Sequence, residues 1–277
     1  LVEQVQQARA DQAPLQIVGG NSKSHLGRAT QATPINTREH SGIISYSPTE
    51  LVIRARAGTT IKELQLALAK QGQRLPFEPP HYQARATIGG TVAANQSGPS
   101  RPWFGAVKDS LLGLGLINGY GEAMQFGGQV MKNVAGFDVT RMQAGAMGSL
   151  GLITELSIKV LPQFKTSQTL VCELDAEAAL KQMQVWANLS LPVTGMCYWQ
   201  HKLYVRLQGA AAGVEETLKC FTKALAVTLL EAELAQDFWK RVREHELLMA
   251  QDKQTLWRWS GPSNAPTEAL ANTQFIN

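Results

Sequence analysis

Leu15-Gln16-Ile17-Val18 runs straight into Gly19-Gly20-Asn21-Ser22-Lys23. The first four residues read as a buried strand, and the two glycines behind them allow the backbone a tight turn and a close approach to a neighbour. Consecutive N–H groups in such a turn point outward and form a nest for phosphate oxygens. Asn21 and Ser22 add side-chain donors, and Lys23 adds a positive charge. The same residues serve equally well as an ordinary strand-to-loop turn. What they exclude is sharper. Neither G-x-x-x-x-G-K-[ST] nor a G-x-G-x-x-G after a strand occurs in the chain, so a Walker loop and a Rossmann dinucleotide site both lose support.

Working outward, residues 1–10 read as a helix and 51–57 as a strand stopped by Gly58. Thr60 is an N-cap with Glu63 three residues on, and Ile61, Leu64 and Leu68 share one helical face before Gly72. Residues 111–117 and 122–126 flank Asn118-Gly119 as a hairpin; 139–142 continue a short helix, and 151–160 form a strand. Pro162 marks a boundary, giving a first domain at 1–162 and a smaller one at 163–277. The second is read as strand 169–174, helix 176–189, hairpin 195–199 with 202–207, helices 214–233 and 238–250, and strand 256–260. That order predicts strands covered by helices on one face. Strands and helices mix without regular βαβ alternation, so the fold class is α+β.

The chain has 277 residues, of which 44% are hydrophobic and 17% charged, enough for packed cores and below the usual quarter of charged residues. Fourteen of the 24 glycines fall between Gly89 and Gly151, and the charges follow them. Residues 1–162 carry 15 Lys/Arg against 10 Asp/Glu, and the rest 11 against 12. The net charge of +4 fits an anionic ligand and is far too weak to argue for nucleic acid. Three cysteines without C-x-x-C spacing argue against a disulfide framework or a zinc ribbon and for a reducing, cytoplasmic setting. No apolar run reaches the roughly 18 residues of a membrane span.

Two further segments share the small-residue character of the first. Residues 86–98, A-T-I-G-G-T-V-A-A-N-Q-S-G, let a backbone lie flush against a flat or phosphorylated ligand, and 145–154 repeat the theme as G-A-M-G-S-L-G-L-I-T. Each alone is a weak signal, met equally by tight helix-on-sheet packing. In order, with Gly98 to Gly105 and the K-N-V-A-G-F-D of 132–138 between them, the set resembles the FAD-binding domain of the vanillyl-alcohol oxidase / p-cresol methylhydroxylase superfamily. The finer runs N-S-K at 21–23, L-G-R at 26–28, P-T-E-L at 48–51, E-P-P-H-Y at 78–82 and G-M-C-Y at 195–198 are similar to FAD-binding subunits of glycolate oxidases. L-W-R at 256–258 extends that likeness, which covers essentially the whole chain.

The resemblance implies a two-lobed FAD-binding domain followed by a smaller α+β domain for substrate or partner. The pyrophosphate would lie on Gly19, Gly20, Asn21, Ser22 and Lys23 and near Thr87, Ile88, Gly89 and Gly90. Gly98, Arg101 and Gly105 would approach the flavin ring, and Gly148, Gly151 and Ile153 the adenine or ribose end, with Pro79 and Ala94 completing the contacts. It further implies oxidation of a small 2-hydroxy acid, glycolate, in a complex with a second flavin subunit and an iron–sulfur subunit. Any membrane association, at the inner face of the plasma membrane, would run through those partners.

The chain departs from the pattern in two ways. Relatives that hold flavin covalently carry His after the Gly-Gly pair, and here Asn21 stands there, so FAD is expected to be non-covalent. Relatives that oxidise 2-hydroxy acids draw a histidine base, often with metal-binding histidines, from the second domain. Here that domain has only His201 and His245, with no paired metal ligands, so no catalytic residue is assigned and no metal is expected. A non-catalytic FAD relay or scaffold subunit, and an independent oxidase of another alcohol or sugar, are the alternatives. A C-terminal D-P-x-x-x-F-N-P-G-R type segment of such relatives is also absent, so a truncated tail is expected. Lys132 and Asp138 read as a loop-stiffening ion pair, and Arg101 with Trp103 as either a gate or a packed corner.

Overall fold

A computed structural model describes residues 1–28, 30–128, 137–249, 261 and 275–276. The chain divides into two compact units, Leu1–Gly98 with Phe104–Gln163, and Pro99–Trp103 with Phe164–Asn277.

In the first unit α1 (Val2–Ala10) leads into β1 (Leu15–Val18), which pairs in parallel with β2 (Thr33–Asn36). There follow β3 (Ile43–Ser47), β4 (Val52–Arg56), α2 (Ile61–Ala69), the two-residue β5 (Gln73–Arg74) and α3 (Ile88–Ala93). After α4 (Arg101–Phe104) come β6 (Leu111–Ile117), β7 (Ala123–Gly127), α5 (Val139–Met142), β8 (Leu152–Lys159) and β9 (Leu161–Pro162). The main sheet is antiparallel in the order β3-β4-β8-β6-β7, while β5 pairs with β9.

Period-two alternation sorts that sheet's faces. Ile53 and Ala55 of β4, Leu114 and Leu116 of β6, and Leu156 and Ile158 of β8 enter one core with Ile61, Leu64 and Leu68 of α2 and Ile88 and Val92 of α3. α2 starts as the sequence predicts, with Thr60 Oγ1 accepting from the Glu63 amide at 3.1 Å, a cap worth about 1 kcal/mol. On the opposite face Arg54, Glu155, Ser157, Gly113 and Gly115 line a concavity of about 330 Å³, crossed by an Arg54–Glu155 ion pair at 2.5 Å.

β1 is not buried as expected. Gln16 and Ile17 are exposed, since a two-stranded sheet has no flanking strands to cover it.

The second unit is built on a sheet of β10 (Thr166–Glu173), β11 (Val193–Trp199), β12 (Lys202–Gly209), β13 (Thr228–Leu230) and β14 (Phe275–Ile276), ordered β13-β10-β12-β11-β14. Its helices are α6 (Ala176–Ala187), α7 (Ala211–Ala224), α8 (Ala232–Arg243) and α9 (Glu246–Met249).

Helices cover both faces of this sheet, correcting the one-face expectation. Leu203, Val205 and Leu207 pack with Trp186 of α6 and Phe221 of α7. The alternate residues Cys197 and Tyr204 pack with Phe238, Trp239 and Val242 of α8. There Trp239 Nε1 donates to Thr169 Oγ1 at 2.9 Å and the Arg206 guanidinium lies 4.8 Å from the Trp239 ring centre.

The predicted helix over 214–233 is also corrected. α7 stops at Ala224, where Leu225 is extended, and the apolar run continues as β13, an edge strand whose spacing mimics a helical stripe. The helix read at 238–250 divides into α8 and α9 around His245, which takes a positive φ of 62°. The strand read at 256–260 lies outside the described residues.

Candidate functional site

α3 is the hub of the glycine-rich segments. Thr87 caps it, its Oγ1 accepting from the Gly90 amide at 3.3 Å. A Cβ on Gly19 would stand 2.6 Å from that same Oγ1, and one on Gly20 would stand 2.6 Å from the Arg85 carbonyl carbon. Arg85 in turn donates from Nε to the Gly20 carbonyl at 3.2 Å and from its NH2 group to the Asn21 carbonyl at 3.3 Å. The absence of side chains at Gly19 and Gly20 is what lets the loop after β1 close onto the segment before α3. Gly89 serves the same purpose on the other side, against Ala57 at the end of β4.

Asn21 follows with φ of 50°, in the left-handed region that Asn tolerates better than most residues. Among the described residues no acceptor receives the amides of Gly20, Asn21 or Ser22. Lys23 Nζ lies 3.5 Å from Ser22 Oγ and 4.0 Å from where a Gly90 Cβ would stand. Three unclaimed amides and a lysine therefore stand within four consecutive residues beside α3, donors of the kind a phosphate takes.

The partner segment differs. The amides of Ile88, Gly89 and Gly90 already donate to Thr59 O, Ala57 O and Thr87 Oγ1. Ile88 is wholly buried in the core, as Ile153 nearly is, which leaves their backbone rather than their side chains for any ligand.

At the other end of α3 the Gly145 amide donates to Val92 O at 3.1 Å and the Met147 amide to Ala93 O at 2.9 Å. Gly148, with φ of 80°, meets Ile17 of β1, and Gly151, with φ of 138°, meets the Ile117 carbonyl. Buried polar atoms that find no hydrogen-bond partner among the described residues gather around this end: Thr91 Oγ1, Asn95 Oδ1, Gln96 Oε1 and Gln143 Oε1. An unpaired buried polar group costs about 1–3 kcal/mol, so a set of four marks a place that a polar ligand would satisfy. A diphosphate at the Gly20–Lys23 end and a polar group at this end together fit an FAD molecule.

The remaining candidates are placed as follows. Gly98 donates its amide to Phe77 O and packs against Glu78, beside the buried Pro79. Ala94 ends α3 half-buried. Gly105, with φ of 81°, turns above Asp109, whose carboxylate accepts from the Ala106 amide. Arg101 is exposed on the Pro99–Trp103 excursion that groups with the second unit, where Trp103 packs against its core. Lys132, the other half of the expected ion pair, lies outside the described residues; Asp138 caps α5 and pairs with Arg141. His201 and His245 both occupy left-handed turn positions.

Sequence reasoning gave Arg85 and Gln96 no role and placed Tyr82 only in a loop facing the flavin or a partner. Arg85 holds loop carbonyls 64 and 65 positions away, and nothing local announces such a pairing. Among the described residues no group of three or more His, Cys, Asp and Glu could hold a metal, and no helix is long and apolar enough to cross a membrane.

Comparisons with known proteins bear on the family and the fold. A family model described as an FAD binding domain matches residues 1–127. Glycolate oxidase subunit GlcE of Escherichia coli (strain K12) is 44% identical over 277 residues, all of this chain and 77% of that protein. The chain belongs to the GlcE family.

Glycolate oxidase subunit GlcD of Bacillus subtilis (strain 168) is 29% identical over 194 residues, 69% of this chain and 40% of that one. A solved structure of alkyldihydroxyacetonephosphate synthase superposes with a TM-score of 0.70 over 88% of this chain and 52% of its own, at 17% identity, and shares the fold. The α+β FAD-binding architecture expected from the motifs is thus borne out, as is the resemblance to glycolate oxidase subunits.

Proposed function

We propose that this GlcE-family chain binds FAD non-covalently and serves as a flavin subunit of a complex that oxidises glycolate to glyoxylate. The observation that carries the reading is the run of unclaimed Gly20, Asn21 and Ser22 amides followed by Lys23, whose ammonium lies beside Gly90 of α3. In this reading residues 1–162 form the FAD-binding domain and 163–277 a substrate or partner domain. Gly19 to Lys23 hold the diphosphate, with Thr87, Ile88, Gly89 and Gly90 shaping the wall beside it. Pro79, Ala94, Gly98, Arg101 and Gly105 serve the flavin end, and Gly148, Gly151 and Ile153 the adenine end. Bound FAD supplies the hydride acceptor. The chain's own residues bind and orient it.

The name glycolate oxidase subunit GlcD among the relatives supports a further subunit, and we add that it is a second flavin subunit and that an iron–sulfur subunit carries electrons onward. The complex is placed in the cytoplasm, meeting the inner face of the plasma membrane through those partners. Anaerobic addition of glycolate to the purified chain tests the assignment. Bleaching of the oxidised-flavin band makes the chain catalytic. Bleaching only with partners present makes it a relay, and absence of bound flavin refutes the reading. Asn21 after Gly20 predicts that acid precipitation releases all the chromophore; yellow colour kept in the pellet would refute non-covalent binding.

A further inference from the structure

Tyr82 stands where the two halves of the site meet. Its ring carries the Lys23 ammonium 5.4 Å from the centroid, and the His25 ring meets it edge-on at 5.7 Å. Its hydroxyl accepts from Gln96 Nε2 at 3.0 Å. Lys23 belongs to the loop after β1 and Gln96 to the chain leaving α3, so one side chain spans both.

The backbone beneath this ring is strained. Tyr82, Gln83 and Ala84 take φ of 44°, 58° and 62°, three consecutive left-handed residues without a glycine. Such residues cost about 1–3 kcal/mol each and persist only where the surroundings fix them. Here the fixing bonds are the Arg85 amide to Tyr82 O at 3.2 Å, the Ala86 amide to His81 O at 3.0 Å, and the Arg85 guanidinium on the Gly20 and Asn21 carbonyls. The same turn therefore grips the glycine loop twice, by Arg85 on its carbonyls and by Tyr82 on its lysine.

We propose that Tyr82 is a positioning residue for the diphosphate: its ring holds the Lys23 ammonium beside the Gly20 to Ser22 amides before any ligand arrives. The proposal rests on the FAD reading above. A free lysine side chain carries about 2 kcal/mol of rotamer entropy that binding would otherwise have to remove. A ring face within about 6 Å attracts the ammonium and holds it, so that the loss precedes binding. Phosphate affinity, rather than flavin affinity, should depend on the ring.

The test compares FAD with riboflavin, which lacks the diphosphate, by calorimetric titration of the full chain. Tyr82→Leu is expected to weaken FAD about tenfold and to leave riboflavin within twofold. Lys23→Met should do the same, and the double variant should lose no more than the worse single one, because both act through one contact. Tyr82→Phe keeps the ring face and should bind FAD within threefold of wild type. Where the leucine variant does not fold, Tyr82→Met, which retains more packing volume, takes its place under the same expectations. Equal losses for FAD and riboflavin, or losses at Tyr82 and Lys23 that add, would overturn the proposal and leave FAD binding standing. Failure of the wild-type chain to bind FAD would instead overturn the reading on which it rests.

Discussion

Replacing Gly20 by alanine isolates the close approach on which the site is built. The added methyl would stand 2.6 Å from the Arg85 carbonyl carbon and nearer still to its oxygen, and ordinary contact begins at 3.4 Å. That oxygen, at 1.6 Å, sets the limit, so the loop must retreat by about 1.8 Å, against a backbone carbonyl that cannot rotate away as a side chain would. Overpacking of this kind costs about 1–3 kcal/mol. The retreat also stretches the Arg85 bonds to Gly20 and Asn21, now 3.2 and 3.3 Å, at about 0.5–1.5 kcal/mol each for partly exposed bonds. A total of about 2–6 kcal/mol lowers the midpoint of thermal unfolding by about 4–24 °C. The same shift moves the Gly20, Asn21 and Ser22 amides together, so FAD should weaken more than tenfold even at temperatures where the variant is fully folded. Circular dichroism melts and FAD titration read the two effects separately. A folded Gly20→Ala chain that binds FAD within twofold of wild type would refute the loop as the diphosphate cradle.

Three further outcomes follow from other parts of the chain. Native protein at pH 8 should react with one equivalent of a thiol reagent, at exposed Cys220, and with three after denaturation, because burial pushes the Cys172 thiol up to about 11 and that of Cys197 higher than its usual value. Gly213→Ala in α7 meets nothing within 4 Å and should stabilise the second unit by roughly 0.5–1 kcal/mol, seen as a higher urea midpoint. His40 is held below its ordinary value by burial first and by Arg56 second, so the native state prefers it neutral. The stability this represents is present above about pH 6.5 and is lost as pH falls below it; His40→Gln should flatten the urea midpoint against pH there.

Much of the fold was legible because its signals are local. The Thr60 cap and the Ile61, Leu64, Leu68 stripe needed only helical spacing, and the hairpin at Asn118-Gly119 needed only turn chemistry. Where the reading failed, the competing signal came from elsewhere in the chain. Residues 225–230 are apolar enough to extend the stripe of α7, yet pairing with Leu170 and its neighbours in β10 makes them a strand. Periodicity over so short a run does not separate the two. The one-face arrangement of the second unit failed for a related reason. β12 reads K-L-Y-V-R-L-Q, with Leu203, Val205 and Leu207 under α6 and α7, and the alternate face of Lys202, Tyr204, Arg206 and Gln208 reads as polar and solvated; yet α8 covers Tyr204 and Arg206 there.

The site divides along the same line. Glycines report that something approaches closely without saying what. At Gly19, Gly20 and Gly89 the approaching group is the protein itself, Thr87, Arg85 and Ala57. The ligand-facing chemistry lies one step further out, in the amides those approaches leave unclaimed and in the side chains that hold them there. Tyr82 closes the E-P-P-H-Y run and Arg85 stands just beyond it, but nothing local in H-Y-Q-A-R states what either side chain meets, and their contacts exist only because the loop after β1 folds back upon them. This predicts an asymmetry among variants. Substitutions at Gly19 or Gly20 should damage stability and FAD binding together, since packing and cradle are one contact. Substitutions at Lys23 and Tyr82 should damage FAD binding with little loss of stability, since a half-buried lysine on an aromatic ring adds only about 0.5–2 kcal/mol to the fold. A melt series in which all four positions lose stability and FAD affinity in constant proportion would contradict that division.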